Sequence, residues 1–289
     1  MKFAYLIMAH HRFDVLKLLL EDLDDVNNDI FLHIDKKTID YSEEELKRCI
    51  KNAKLVFVKR MKIFWSDFSQ IQCVINLLQE ATNYGFHDYY HFLVGVEFPI
   101  KSKEYIQDFF TMNNGKEFIG YCRGPEKSLY RIQYYHFLGK YERFKNKREK
   151  LLYTLNKKLL SFQRRIGVNR LHHENDYYKK GYANWSITHD LALYIINEFY
   201  KDKRQYKFSS CADEVFFQTV VYHSPYYKNV FDVNDEYHSC MRLTTWDDRN
   251  NQLHMKDLDH IIKSDKLFAR KFDTGDAVDI IEEIKKLRL

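Results

Sequence analysis

The sequence predicts an α/β fold with a mostly parallel central sheet flanked by helices, and three observations predict it. Short apolar runs of strand length alternate with helical patterns through the first hundred residues, as crossover helices between parallel strands require. Gly95 and Pro99 break that rhythm where a strand should hand over to the ligand-bearing carboxyl edge of a sheet. The 289 residues suffice to bury a large core without covalent staples.

The elements follow in order. Phe3 to Met8 reads as a buried first strand, and its apolar run is too short and meets His10, His11 and Arg12 too soon for a signal peptide. Phe13, Leu16, Leu19, Leu20 and Leu23 share one helical face, and Ile30 to Ile34 is a second strand. Ser42 with Glu45 three residues on is a capping box, opening a helix through about Lys51. Leu55 to Val58 is a strand, Ser66 to Ala81 a helix, and Tyr90 to Val94 a strand ending at Gly95. A helix over Lys103 to Met112 and a strand over Phe118 to Tyr121 come next. After a basic stretch the pattern resumes with a strand at Trp185 to Thr188 and helices over Asp190 to Tyr200 and Asp213 to Val221. A strand at Met241 to Thr244, a helix over Lys256 to Lys263, a strand at Leu267 to Arg270 and a helix over Asp276 to Leu287 complete one domain spanning 1–289.

The net charge of +5 is unevenly placed. Between Lys140 and Arg170 eleven lysines and arginines face two glutamates, which leaves the remainder mildly acidic. This helical insertion, bearing Leu151, Leu152, Leu155, Leu159 and Phe162, could dock on an anionic membrane surface, and a solvated helix packed by its leucines fits the same pattern. Five cysteines, an odd number with no C-x-x-C pair, signal neither a disulfide framework nor a zinc ribbon and suit a reducing cytoplasm. No stretch approaches the roughly 20 apolar residues of a membrane span. Neither glycine-rich phosphate loop occurs, and the pairs His10-His11 and His172-His173 lack the H-E-x-x-H spacing of zinc enzymes, so they read as structural. Asp22-Leu23-Asp24 and Asp257-Leu258-Asp259 lie on helical patterns and read as solvated faces, while the end of the second strand, His33-Ile34-Asp35-Lys36-Lys37, has too few carboxylates to hold a metal.

The ordered set Ala4-Tyr5-Leu6-Ile7, Ile34-Asp35-Lys36-Lys37, Phe64-Trp65-Ser66, Gly95 to Lys101, Asn184-Trp185, Asp213 to Thr219 and Leu267 to Asp273 resembles the core-2/I-branching family of glycosyltransferases, family 14, which also contains protein xylosyltransferases. The resemblance runs nearly the whole chain. It implies a GT-A type, Rossmann-like nucleotide-sugar-binding fold and metal-independent, inverting transfer of a sugar from a UDP-sugar to a hydroxyl of a glycan acceptor, with no cofactor. N-acetylglucosamine is the default donor sugar. Glu214 corresponds to the family's base, with Asp213 as orienter or cap. Asp35, Ile63, Phe64 and Trp65, joined by Met8, correspond to the nucleoside contacts.

Arg242, Arg270 and Lys271 correspond to cations on the diphosphate, and a guanidinium fork and an ammonium can together neutralise a departing phosphate as a metal would. Strand alternation lets only one of Arg270 and Lys271 face the nucleotide, with Lys271 preferred. Asn184 and Trp185 correspond to donor-sugar and acceptor contacts, the indole stacking on a pyranose, and Glu97 to an acceptor contact. Asn184 stands where several relatives have Asp, which puts the donor sugar in doubt. The expected setting is the cytoplasm, at the inner face of a membrane if the acceptor is lipid-linked and residues 140–170 touch the bilayer. Two rival readings remain: a nucleic-acid-binding module built on the basic stretch, which leaves the ordered motifs unexplained, and a non-catalytic sugar-binding protein.

Overall fold

A computed structural model describes residues 1–124, 128–245 and 251–288. Five strands form the central sheet in the order β3-β2-β1-β4-β6: β1 (Phe3–Ala9), β2 (Asn28–Ile34), β3 (Lys54–Phe57), β4 (Tyr89–Val94) and β6 (Ser186–Thr188). The first four are mutually parallel, and β6 pairs antiparallel with β4 through Tyr90 and Ile187. A second sheet sets β8 (Phe268–Arg270) between β5 (Glu97–Pro99), antiparallel, and β7 (Arg242–Thr244), parallel.

Because β-strand side chains alternate, β1 feeds two cores. Phe3, Tyr5, Ile7 and Ala9 face one that includes α1 (Phe13–Leu23) and α11 (Ala277–Leu287), and Ala4 and Leu6 face the other, with α3 (Ser69–Tyr84), α7 (His189–Tyr206) and α8 (Asp213–Tyr222). Strands progress from β1 to β3 on one side and resume with β4 on the other, so the topological switch lies between β1 and β4, where Met8 stands opposite Val94. A crevice opens at the carboxyl ends of such a pair because the connections diverge there. Gly95 keeps the strand ends close: a Cβ on it would come within 2.8 Å of the Ala9 Cβ.

Several expectations shift. Phe118 to Tyr121 forms no strand; Glu117 and Phe118 make only isolated bridges to Val230 and Ser186. The segment read as a turn contains β5, a three-residue strand whose partner lies far along the chain. Helix α3 begins at Ser69 rather than Ser66, since Ser66 adopts the left-handed region at φ 65° and donates its N–H to the Gln70 Oε1 at 2.7 Å. Helix α2 (Glu43–Arg48) starts as expected, the Ser42 hydroxyl accepting from the Glu45 N–H, but ends three residues short of Lys51. The basic stretch forms α6 (Lys147–Arg165).

Candidate active site

Three adjoining cavities run along the carboxyl edge of the sheet and share Met8 and Gln70. The outermost, of 430 Å³, is walled by Asp35, Ile63, Phe64 and Trp65. The middle one, 270 Å³, is lined by His10, His11, Arg270, Lys271 and Asp273. The innermost, 70 Å³, is lined by Asn184, Asp213 and Arg270. Six residues expected at a nucleoside and diphosphate site, Asp35, Ile63, Phe64, Trp65, Arg270 and Lys271, therefore border one cleft together with Met8.

Asp35 follows β2 and is buried, with its N–H held by the Ala9 carbonyl at 2.9 Å. One carboxylate oxygen accepts from the Lys37 N–H at 2.9 Å, an Asx turn, and the other lies 3.3 Å from the Lys37 Nζ. Trp65, 41 % exposed, presents its ring at the cleft rim. Burial, reinforced by the neighbouring His11, pushes the His10 imidazole down to about 4, so it is neutral near pH 7.

Arg270 ends β8, and Lys271 lies just beyond it, so strand alternation does not separate them and both line the middle cavity. The Arg270 guanidinium donates to the Asn184 Oδ1. Asn184 is fully buried and its amide donates to the Glu97 carboxylate at 2.7 Å and the Phe92 carbonyl at 3.3 Å. Its contribution is thus to aim Arg270 from beneath.

Three expectations are corrected here. Arg242 is wholly buried: its Nε lies 2.8 Å from the Glu97 carboxylate, and its terminal nitrogens donate to the Cys240 and Trp185 carbonyls and the Ser186 hydroxyl. Its guanidinium also covers the Phe268 ring at 4.3 Å, so no part of it reaches a diphosphate. Glu97, read as an acceptor contact, is likewise fully buried as the counter-ion of Arg242; burial raises its pKa, and Arg242 and then Arg270 oppose that rise. Trp185 is 0 % exposed, packed between Phe92 and Phe217, and its indole cannot stack on a sugar from inside the core.

Helix α8 brings two carboxylates in its first turn, where the helix dipole favours anions. They part company. Asp213 lines the innermost cavity, and burial, with the adjacent Glu214 charge, pushes its carboxyl up to about 7. The Glu214 carboxylate is one third exposed and bridges Arg131, at 2.6 Å, and Lys180, at 3.3 Å. It lies one residue from the cleft wall and is absent from the lining of the three cavities.

Lys140, Tyr141, Arg143, Lys145 and Glu149, from the basic stretch, also wall the outermost cavity. Sequence reasoning missed them, as it missed Gln70. Nothing local marks them: Glu142 is brought to Ser66 by a 3.1 Å hydrogen bond across 76 residues.

Among the described residues no group of three or more His, Cys, Asp or Glu is arranged to hold a metal ion, and no helix is long and apolar enough to cross a membrane. All five cysteines are unpaired thiols. The sequence profile of the Core-2/I-Branching enzyme family matches residues 3–267. No curated protein sequence matches the chain. Among solved structures, the chain is similar to mouse xyloside xylosyltransferase 1 in its apo form, at 12 % identity and a TM-score of 0.37, over 93 % of this chain and 97 % of that one.

Proposed function

The chain belongs to the core-2/I-branching enzyme family and is a glycosyltransferase, and we propose that it moves a sugar, N-acetylglucosamine by default, from a UDP-sugar to a hydroxyl of a glycan acceptor, with inversion and without a divalent metal. The observation that carries this reading is the order of groups along one cleft. Aromatic rings and Asp35 stand at one end, Arg270 and Lys271 in the middle, and Asn184 with Asp213 at the inner end. That order matches a nucleoside, a diphosphate and a sugar laid end to end.

In the proposed mechanism Glu214 takes the proton from the acceptor hydroxyl, whose oxygen attacks the anomeric carbon as the bond to the diphosphate oxygen breaks. Arg270 and Lys271 neutralise the charge gathering on the leaving UDP, which is the work of fixed cations in a water-poor site. Arg242 acts at one remove: with Glu97 it holds Asn184, and Asn184 holds Arg270. A lipid-linked acceptor at the inner face of a membrane would place α6 against the bilayer.

The test uses purified protein, a panel of UDP-sugars and glycan acceptors. Transfer from at least one UDP-sugar is expected, unchanged by EDTA. Glu214→Gln should lose roughly 10²- to 10⁴-fold in turnover, the span of a general base, while UDP still raises its melting temperature. Turnover that a chelator stops would overturn the metal-free mechanism, and a fully active Glu214→Gln would remove Glu214 as the base.

A further inference from the structure

We infer that Arg143, in the loop before α6, is a phosphate-contacting residue of the donor site, so that the basic stretch supplies part of the charge the leaving nucleotide needs. The inference rests on the donor-site reading above. Arg143 borders both the outermost and the middle cavity, the only cation among the described residues that lines the two, and so stands where a nucleoside end meets a cationic middle. Its guanidinium lies over the Trp65 ring, 4.4 Å from the centroid. A guanidinium that stacks on a ring keeps its edge N–H donors available, and with them arginine grips a phosphate through two parallel hydrogen bonds.

Two further features favour this role. First, the loop is held in place: Glu142 accepts from the Ser66 hydroxyl at 3.1 Å and the Tyr153 hydroxyl at 3.3 Å, which sets the adjacent Arg143 above Trp65. Second, two nearby charges are committed elsewhere, while Lys140 and Lys145, which line the outermost cavity only, share with Arg143 the lack of an ion pair among the described residues. Lys37 is paired with Asp35 and Arg242 with Glu97, whereas Arg143 has no carboxylate partner among the described residues. An unpaired guanidinium beside a cavity whose expected occupant is a dianion leaves a gap in the charge balance that a phosphate fills.

The experiment is isothermal titration of the full chain, wild type, Arg143→Ala and Arg143→Lys, with uridine, UMP and UDP. Because Arg143 is solvent-exposed, Arg143→Ala should fold, and its melting temperature checks this. If Arg143 contacts phosphate, Arg143→Ala weakens UDP about tenfold or more, as loss of hydrogen bonds to a charged group does, and leaves uridine unchanged. Arg143→Lys then recovers part of the loss, since charge survives without the fork. Equal weakening of uridine and UDP would show that the residue acts only by packing Trp65 and would overturn the inference, as would unchanged UDP affinity in a wild type that binds UDP. A wild type that binds no UDP would overturn the donor reading itself.

Discussion

Arg242 and Arg143 carry the same side chain in two regions of one molecule and end in opposite situations. Arg242 sits beneath the cleft, its terminal nitrogens hydrogen-bonded to two carbonyls and a hydroxyl, its Nε 2.8 Å from the Glu97 carboxylate and its face against Phe268. Arg143 stands on the rim with an aromatic face beneath it and solvent before it. Burying a charge is costly unless it is paired, and a guanidinium held in the core by its counter-ion and neighbouring acceptors is out of a ligand's reach. An exposed cation beside a cavity keeps its donors. The difference teaches that burial, more than residue type or motif position, sorts the cations of this cleft into those that hold the floor and those that can meet a nucleotide.

The largest expected effect breaks the floor. Arg242→Met leaves the Glu97 carboxylate buried without its counter-ion, and breaking such a pair costs roughly 3–5 kcal/mol. Denaturant unfolding of the variant against wild type should show that loss. In any folded fraction UDP binding should weaken only indirectly, through the Asn184 support of Arg270, because Arg242 does not face the cleft. A variant of normal stability with selectively weakened UDP binding would put Arg242 back among the phosphate contacts.

A smaller effect separates the two carboxylates of α8. Asp213 has a folded-state pKa of about 7 against an unfolded value of 3.8, with burial as the main cause. Between those values the folded state retains a proton that the unfolded state has released, so raising the pH through this window lowers stability. Below about 4 the contribution is fully present, and above about 7 it is gone. Each unit of separation is worth about 1.4 kcal/mol, of which a partly buried side chain realises a fraction. Asp213→Asn should therefore gain stability relative to wild type as pH rises from 4 to 7, measured by urea unfolding at several pH values. A constant difference across that range would remove the raised pKa and, with it, the contrast between Asp213 and Glu214.

Much of this architecture is written locally, and much of the site is not. The strands of the parallel sheet and helices α1 and α3 announce themselves by apolar period, and the Ser42 cap by its spacing to Glu45. Asp35, Arg270 and Lys271 reach the cleft because strand ends carry them there, and Phe64 and Trp65 because the loop between β3 and α3 does. What failed was inference about burial. Glu97, Trp185 and Arg242 occupy motif positions that suggest ligand contact, yet Glu97 and Arg242 neutralise each other across 145 positions of sequence, and Trp185 fills the core beside Phe217. No periodicity records a pairing of that range. Arg143 escaped notice for the converse reason: in a run of eleven cations its position over Trp65 depends on tertiary contacts alone.

The smallest effect per residue concerns the outer face of the same basic segment. Helix α6 is anchored by amides rather than by its leucines. Buried Asn156 accepts from the Leu138 N–H at 3.0 Å, and buried Gln163 exchanges hydrogen bonds of 2.8 and 2.9 Å with the Tyr135 backbone. Leu151, Leu155, Phe162 and the following Ile166 are left outside, 45–69 % exposed. At 3.6 residues per turn they fall within about 60° of one another. This apolar stripe, with exposed Lys158 and Arg165 at its edge and exposed Lys157 and Arg164 farther round the helix, suits insertion at an anionic bilayer surface, where each cation near the surface adds about 1 kcal/mol. Flotation with phosphatidylserine-containing vesicles should recover the wild type, and pure phosphatidylcholine should recover less. Neutralising the four cations should weaken binding about fivefold per charge, the equivalent of 1 kcal/mol, while UDP binding persists, because these residues lie away from the cleft wall that holds Arg143. Equal flotation of wild type and variant would leave the stripe without a bilayer role and confine the work of the basic segment to the rim of the cleft.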